Sequence, residues 1–177
     1  MGNDETQFVT FHELHLQVHK VNAFLQETGF KKGDVAAVVA PNSCQFTIFQ
    51  LGVFAAGGAV SGANALFTDY ELEAHFTDSQ CSLVLTDDEN LEKVQHAARN
   101  CSTIKMIICI HDEKNGDLPA GVIPWSELVK RQPNYEHVEV DGEDMCLLPY
   151  SSGTTGPPKG VMIPHRSYGT MVEMHAV

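Results

Sequence analysis

Residues 150–161 read Tyr-Ser-Ser-Gly-Thr-Thr-Gly-Pro-Pro-Lys-Gly-Val, and no acid interrupts them. The hydroxyls of Ser151, Ser152, Thr154 and Thr155 are donors, the Lys159 ammonium is a cation, and Gly153, Gly156 and Gly160 let backbone N–H groups come close to a ligand. Donors and positive charge without a carboxylate suit an anion, and a run of this length suits a polyphosphate. Two familiar phosphate loops are excluded. A Walker A loop needs Gly-Lys followed by Ser or Thr, whereas Lys159 lies between Pro158 and Gly160, and Gly153 and Gly156 do not make a Gly-x-Gly-x-x-Gly turn. On composition alone the stretch also fits a plain Ser/Gly/Thr surface turn.

The longer string 148–166 carries more. Leu-Pro-Tyr-Ser-Ser-Gly-Thr-Thr-Gly-Pro-Pro-Lys-Gly-Val-Met-Ile-Pro-His-Arg closely resembles the signature of the adenylate-forming superfamily of acyl-CoA synthetases, coumarate-CoA ligases, firefly luciferases and peptide-synthetase adenylation domains. Upstream, Phe-His-Glu-Leu at 11–14, Lys-Gly-Asp-Val at 32–35 with Pro-Asn at 41–42, Leu-Gly-Val-Phe-Ala-Ala-Gly at 51–57 and Asn-Ala-Leu-Phe-Thr at 64–68 resemble further elements of that family in order. The tyrosine before two serines is most similar to the coumarate-CoA ligase and medium- to long-chain acyl-CoA synthetase branches.

The resemblance implies activation of a small carboxylic acid by ATP, with Mg2+, to an acyl-adenylate, followed by transfer to coenzyme A as co-substrate. It implies that Ser151, Ser152, Thr154 and Thr155 contact the β- and γ-phosphates, that Gly153, Gly156 and Gly160 let the backbone close around them, and that Lys159 serves catalysis. It further implies that 1–177 is a partial N-terminal AMP-binding domain, because the aromatic-Gly-x-Thr-Glu adenine segment, the ribose-binding Asp and the C-terminal domain with its lysine are missing from the string.

Charge and composition narrow the partners. The net charge is −12, from 23 acidic against 11 basic residues, and the acids are dispersed. Nucleic acids and anionic membranes need clustered Lys and Arg, so neither is expected as a partner. Cys44, Cys81, Cys101, Cys109 and Cys146 are odd in number and lack C-x-x-C spacing, which fits a reducing cytoplasmic interior or, alternatively, a peroxisome. No stretch is long and apolar enough for a membrane span or signal peptide. Gly2 with Thr6 satisfies the loose myristoylation pattern, but Asp4 and Glu5 and the lack of a basic second signal argue for coincidence.

The elements that must position the loop follow from periodicity and punctuation. Thr10 to Glu13 is a capping box opening a helix with an apolar stripe of Leu14, Val18, Val21 and Leu25, stopped by Gly29. Residues 34–40 read as a strand covered on both faces, Ser43 caps a helix to about 56, and a Gly-rich turn follows. Thr68 to Glu71 is a second capping box for a helix to about 78, followed by a strand at 82–85, a helix at 87–99, a strand at 104–110, a polar loop at 111–121 and a short helix at 125–131. Residues 145–150 read as a strand into the loop, 161–163 as another strand-like run, and 165–174 as a helix. Strands separated by helices predict an α/β fold with a largely parallel βαβ sheet, part of the large N-terminal domain of an adenylate-forming enzyme if the resemblance holds. The loop would then leave a strand at its C-terminal end, where such sheets bind ligands.

Other chemistry-bearing residues read as structural. His15 and His19 have the i, i+4 spacing of a metal pair, but no third ligand is evident, so the face carrying them and His12 reads as solvated and no metal site is expected. His165 and Arg166 read as shaping a helix start, and Asp78, Asp87 and Asp88 as caps or solvated loops. Three classes of function remain: an ATP-dependent acid-thiol ligase, a non-catalytic nucleotide- or partner-binding module, and a dinucleotide oxidoreductase, which the missing Gly-x-Gly-x-x-Gly disfavours.

Overall fold

The structure is a computed structural model that describes residues 9–151 and 158–175. Helix α1 (Phe11–Glu27) opens on the expected capping box: Thr10 Oγ1 accepts from the Glu13 N–H at 3.2 Å, and the Thr10 N–H donates to Glu13 Oε2 at 2.8 Å. Its stripe buries Val21, Phe24 and Leu25. Strand β1 (Val35–Val39) is buried along its whole length. Helix α2 (Cys44–Ala55) starts where Ser43 Oγ accepts from the Phe46 N–H at 3.1 Å. Strand β2 (Ala59–Gly62) and helix α3 (Asp69–Ser79) follow, α3 again on a capping box, Thr68 with Glu71. The chain continues through β3 (Leu83–Asp87), α4 (Leu91–Ala98), β4 (Met106–Ile110), β5 (Val122–Pro124), α5 (Trp125–Val129), β6 (Met145–Leu147), β7 (Tyr150–Ser151), β8 (Lys159–Gly160), β9 (Ile163–Pro164) and α6 (His165–His175).

Seven strands form one sheet in the order β5-β4-β3-β1-β2-β6-β9; only β9, paired to β6, runs antiparallel. The α/β architecture with a mostly parallel sheet is therefore the one the sequence predicts. Alternate residues of β1 face opposite cores. Ala36 and Val38 pack with Val21, Phe24, Phe49, Val53 and Leu128 from α1, α2 and α5. Val35, Ala37 and Val39 pack with Leu72, Phe76, Val94 and Ala97 from α3 and α4. The helices lie on both faces because β2 is to one side of β1 and β3 to the other, so crossovers of one hand place α2 and α3 on opposite faces.

The structure corrects four local expectations. The Gly-rich turn after α2 contains β2, a strand of small residues in the middle of the sheet. Close packing explains it: a Cβ on Gly58 would lie 2.4 Å from Phe30 Cε1. The helix expected from 87 begins at Leu91, because Asp87 Oδ1 accepts from the Asn90 N–H at 3.0 Å and forms a side-chain turn first. The strand expected over 145–150 breaks after Leu147; Pro149 has no N–H for a ladder, and Tyr150 and Ser151 pair with β8 instead. Of the run 161–163, only Ile163 joins the sheet.

Candidate functional site

Strand β6 delivers the chain to the C-terminal edge of the parallel sheet, beyond which β7 and β8 pair antiparallel. Of the residues expected to grip phosphate, Ser151 and Lys159 are described; Ser152, Gly153, Thr154, Thr155 and Gly156 lie outside the described residues. Ser151 and Lys159 are direct partners in the antiparallel pair. Directly opposed residues share a face with Cβ atoms about 5 Å apart. A hydroxyl and an exposed ammonium thus flank the mouth of the loop on one side. Gly160, opposite Tyr150, packs closely here, since a Cβ there would meet Leu148 Cδ1 at 3.0 Å and Tyr150 Cζ at 3.3 Å and those side chains would have to shift.

Tyr150 is held by α3. Its hydroxyl donates to Asp78 Oδ2 at 2.5 Å, and its ring lies 4.3 Å from the His75 ring. Burial and then the Asp78 carboxylate push its phenol pKa up, so it stays a donor. Asp78 is therefore no cap, as the sequence suggested, but a tether for the residue that starts the loop. His75 is buried and reaches Ser61 Oγ at 2.9 Å, while the Ser61 hydroxyl donates to the Leu148 carbonyl at 2.8 Å. Burial lowers the His75 pKa to about 4 against an opposing pull from Asp78, so the imidazole is neutral at pH 7. Phe67, Ala74, His75, Asp78, Tyr150 and Pro158 line a cleft of about 280 Å³ beside the start of the loop.

The comparisons with known proteins give the family. The sequence model of the AMP-binding enzyme family matches residues 2–177. The chain belongs to the AMP-binding enzyme family. It is 36% identical over 174 residues to acyl-CoA synthetase 7 of Caenorhabditis elegans, covering 97% of this chain and 32% of that protein. It is 32% identical over 166 residues to 4-coumarate–CoA ligase 3 of Arabidopsis thaliana, covering 92% of this chain and 28% of that protein. The crystal structure of the anthranilate CoA ligase AuaEII in complex with anthranoyl-AMP superposes with a TM-score of 0.87 at 22% identity, over 96% of this chain and 32% of that one, and so shares the fold. The chain spans about a third of the length of these relatives.

A second crevice lies where β1 and β3 send their helices to opposite faces, the usual ligand position in open sheets. Pro41, Gln45, Asp87, Asp88, Glu89 and Asp112 are among its lining residues, so its charge repels phosphate. Asp88, expected to be a solvated loop residue, is a hub instead. It accepts from His111 Nδ1 at 2.6 Å, the Asp112 N–H at 2.9 Å and Asn115 Nδ2 at 2.7 Å. Burial opposes its charge, but the Asp112 N–H and the His111 and Asn115 side chains outweigh it and hold the carboxyl at about 2. His111 Nε2 faces the Gly116 carbonyl at 2.8 Å, so both ring nitrogens donate; the Asp88 hydrogen bond, against burial, raises its pKa. The network pins the turn after β4.

Two further histidines, His19 and His165, are partly buried against aromatic rings. His19 is half-buried and stacked on Tyr135 at 4.7 Å, with its Nε2 3.2 Å from that of His15, so this helix face is less solvated than its sequence suggests. Among the described residues no group of three His, Cys, Asp or Glu side chains could hold a metal ion. His165 opens α6 with its ring 5.6 Å from Phe54, and Arg166 Nη1 pairs with Glu143 at 2.7 Å. None of the five cysteines forms a disulfide. No described helix is long and apolar enough to cross a membrane.

Proposed function

We propose that this chain is the phosphate-binding portion of an ATP-dependent acid-thiol ligase. A carboxylate oxygen of the acid attacks the α-phosphorus of ATP and pyrophosphate leaves; the coenzyme A thiol then attacks the acyl carbonyl and AMP leaves. The observation that carries the reading is the pairing of Ser151 with Lys159 at the mouth of the hairpin on the carboxyl edge of the sheet, in a chain of the AMP-binding enzyme family. Ser151, Ser152, Thr154 and Thr155 would donate to the β- and γ-phosphates, with Gly153 and Gly156 admitting the backbone. Lys159 would neutralise charge as it grows on the departing pyrophosphate. Lys159 and Ser151 fit a polyphosphate; Mg2+ would arrive on the phosphate oxygens and offset their charge. The relatives' names support the substrate class, an aryl or fatty acid together with coenzyme A. Reduced thiols fit a cytoplasmic or a peroxisomal site of action.

Acid-dependent exchange of labelled pyrophosphate into ATP, measured with the complete protein across a panel of fatty and aryl acids, tests the reading. Exchange with one class of acid supports it. ATP binding without exchange for any acid would instead make the chain a non-catalytic nucleotide-binding module.

A further inference from the structure

Strand β6 is only three residues long, yet it aims the whole phosphate loop. Its ladder to β2 closes with the Leu148 N–H on the Val60 carbonyl at 2.9 Å. Beyond that point the Leu148 carbonyl is taken by a side chain, the Ser61 hydroxyl of β2, at 2.8 Å. That hydroxyl has one proton, so toward His75 it acts as acceptor, and His75 must present Nε2–H to it at 2.9 Å. Ser61 and His75 are buried, with 0% and 5% of their surfaces exposed. The relay therefore runs from α3 through β2 to the last backbone group before Pro149 and Tyr150. The same helix face adds Asp78, three residues after His75, which takes the Tyr150 hydroxyl.

We propose that Ser61 and His75 are positioning residues for the phosphate loop: they fix the Leu148 carbonyl and so set the direction in which Tyr150, Ser151 and Lys159 leave the sheet. Neither residue touches the phosphates; each acts on the donors through the backbone. Buried hydrogen bonds suit this task because a carbonyl left without its donor takes up a different geometry or admits water. Small displacements matter in such a site, since about 1 Å of misplacement can cost on the order of a hundredfold in rate.

The inference rests on the ligase reading for its kinetic consequence but not for its structural one, so two measurements separate them. In the complete protein, Ser61→Ala should lower kcat for acid-dependent pyrophosphate exchange about ten- to a hundredfold with a smaller change in the KM for ATP, and Ser61→Thr, which keeps the hydroxyl, should restore it to within about threefold. His75→Gln, which keeps a side-chain N–H, should be milder than His75→Leu. Hydrogen-deuterium exchange on the same variants should show faster exchange confined to 148–151 and 158–161 for Ser61→Ala and His75→Leu. Unchanged exchange in those segments would overturn the proposal whether or not the protein is a ligase. Lost protection there with kcat untouched in an active enzyme would overturn the positioning role and leave the ligase reading standing. Inactivity of the unsubstituted protein, with protection lost as expected, would count against the ligase reading while supporting the anchoring of the loop.

Discussion

Lys159 is exposed and pairs with Ser151 at the loop end of β7 and β8; on the proposed function it would meet charge that grows on the β- and γ-phosphates as the α-phosphorus is attacked. A donor of that kind acts more on the transition state than on bound ATP. Lys159→Ala in the complete protein is therefore expected to lower kcat about ten- to a thousandfold with a smaller rise in the KM for ATP. Steady-state kinetics against ATP check this, and equal effects on both constants would contradict it. The histidines give a pH signature with a defined sign. Folded His75 takes its proton only near pH 4, against 6.5 when exposed, so the unfolded chain binds more protons between those values and stability falls as pH drops through that window. His19 and His165, lowered chiefly by burial, add to the same slope. His111, raised by Asp88, acts in the opposite sense: its contribution is complete below about 6.5 and is lost as pH rises through its folded value. Urea unfolding at pH 7 and pH 5 should show a smaller stability loss for His75→Gln than for the native chain; an identical loss would mean that His75 is not buried as described.

Among the elements, the contact of α1 with α2 is close enough for a single substitution to probe. A Cβ on Gly52 would lie 2.5 Å from Val21 Cγ1, so Gly52→Ala forces the two helices apart and is expected to destabilise the fold by about 1–3 kcal/mol, the usual cost of overpacking. Chemical unfolding measures this, and a change below about 0.5 kcal/mol would show that the helices shift freely. The helix starts were legible in the sequence because a capping box is local: Thr10 with Glu13, and Thr68 with Glu71, need only their own four residues. Strand β2 was not legible, because its residues are small and become a strand only through β1 on one side and β6 on the other. The break at Pro149 was readable in principle, since proline cannot donate to a ladder, but the apolar run 145–148 masked it. In the candidate site, the residue types of 150–161 suggested a phosphate loop, although composition alone left a plain surface turn also open. Ser61, His75 and Asp78 gave no such signal, since a lone serine or histidine far from the loop in sequence has no motif to betray it. Asp88 was hidden for the same reason, as its partners come from the next strand and turn.

At the scale of the molecule, the parallel sheet makes a platform whose carboxyl edge carries an acidic crevice near β1 and β3 and the paired strands β7 and β8 beyond β6. Helix α6 and the segment before it expose apolar side chains. Helix α6 buries none of its described residues, and Met171, Val172 and Met174 are exposed at 48%, 48% and 73%. Beside it, Val161 and Met162 are exposed as well, next to the two-residue edge strand β9. Apolar surface of this kind beside an open strand favours association. Residues 1–177 expressed alone are therefore expected to elute as aggregates in size-exclusion chromatography and to form no acyl-CoA, since the relatives they match are about three times as long. A stable monomer that made a thioester would contradict this. The central claim, that this molecule belongs to an enzyme that joins an acid to AMP before the thiol, is tested most directly by isotope transfer. The complete protein is given ATP, coenzyme A and an acid labelled with oxygen-18 in its carboxylate, and the released AMP is weighed by mass spectrometry. Adenylation predicts one oxygen-18 atom in AMP, carried over when the thiol displaces it; label appearing in inorganic phosphate, with ADP as the nucleotide product, would contradict it.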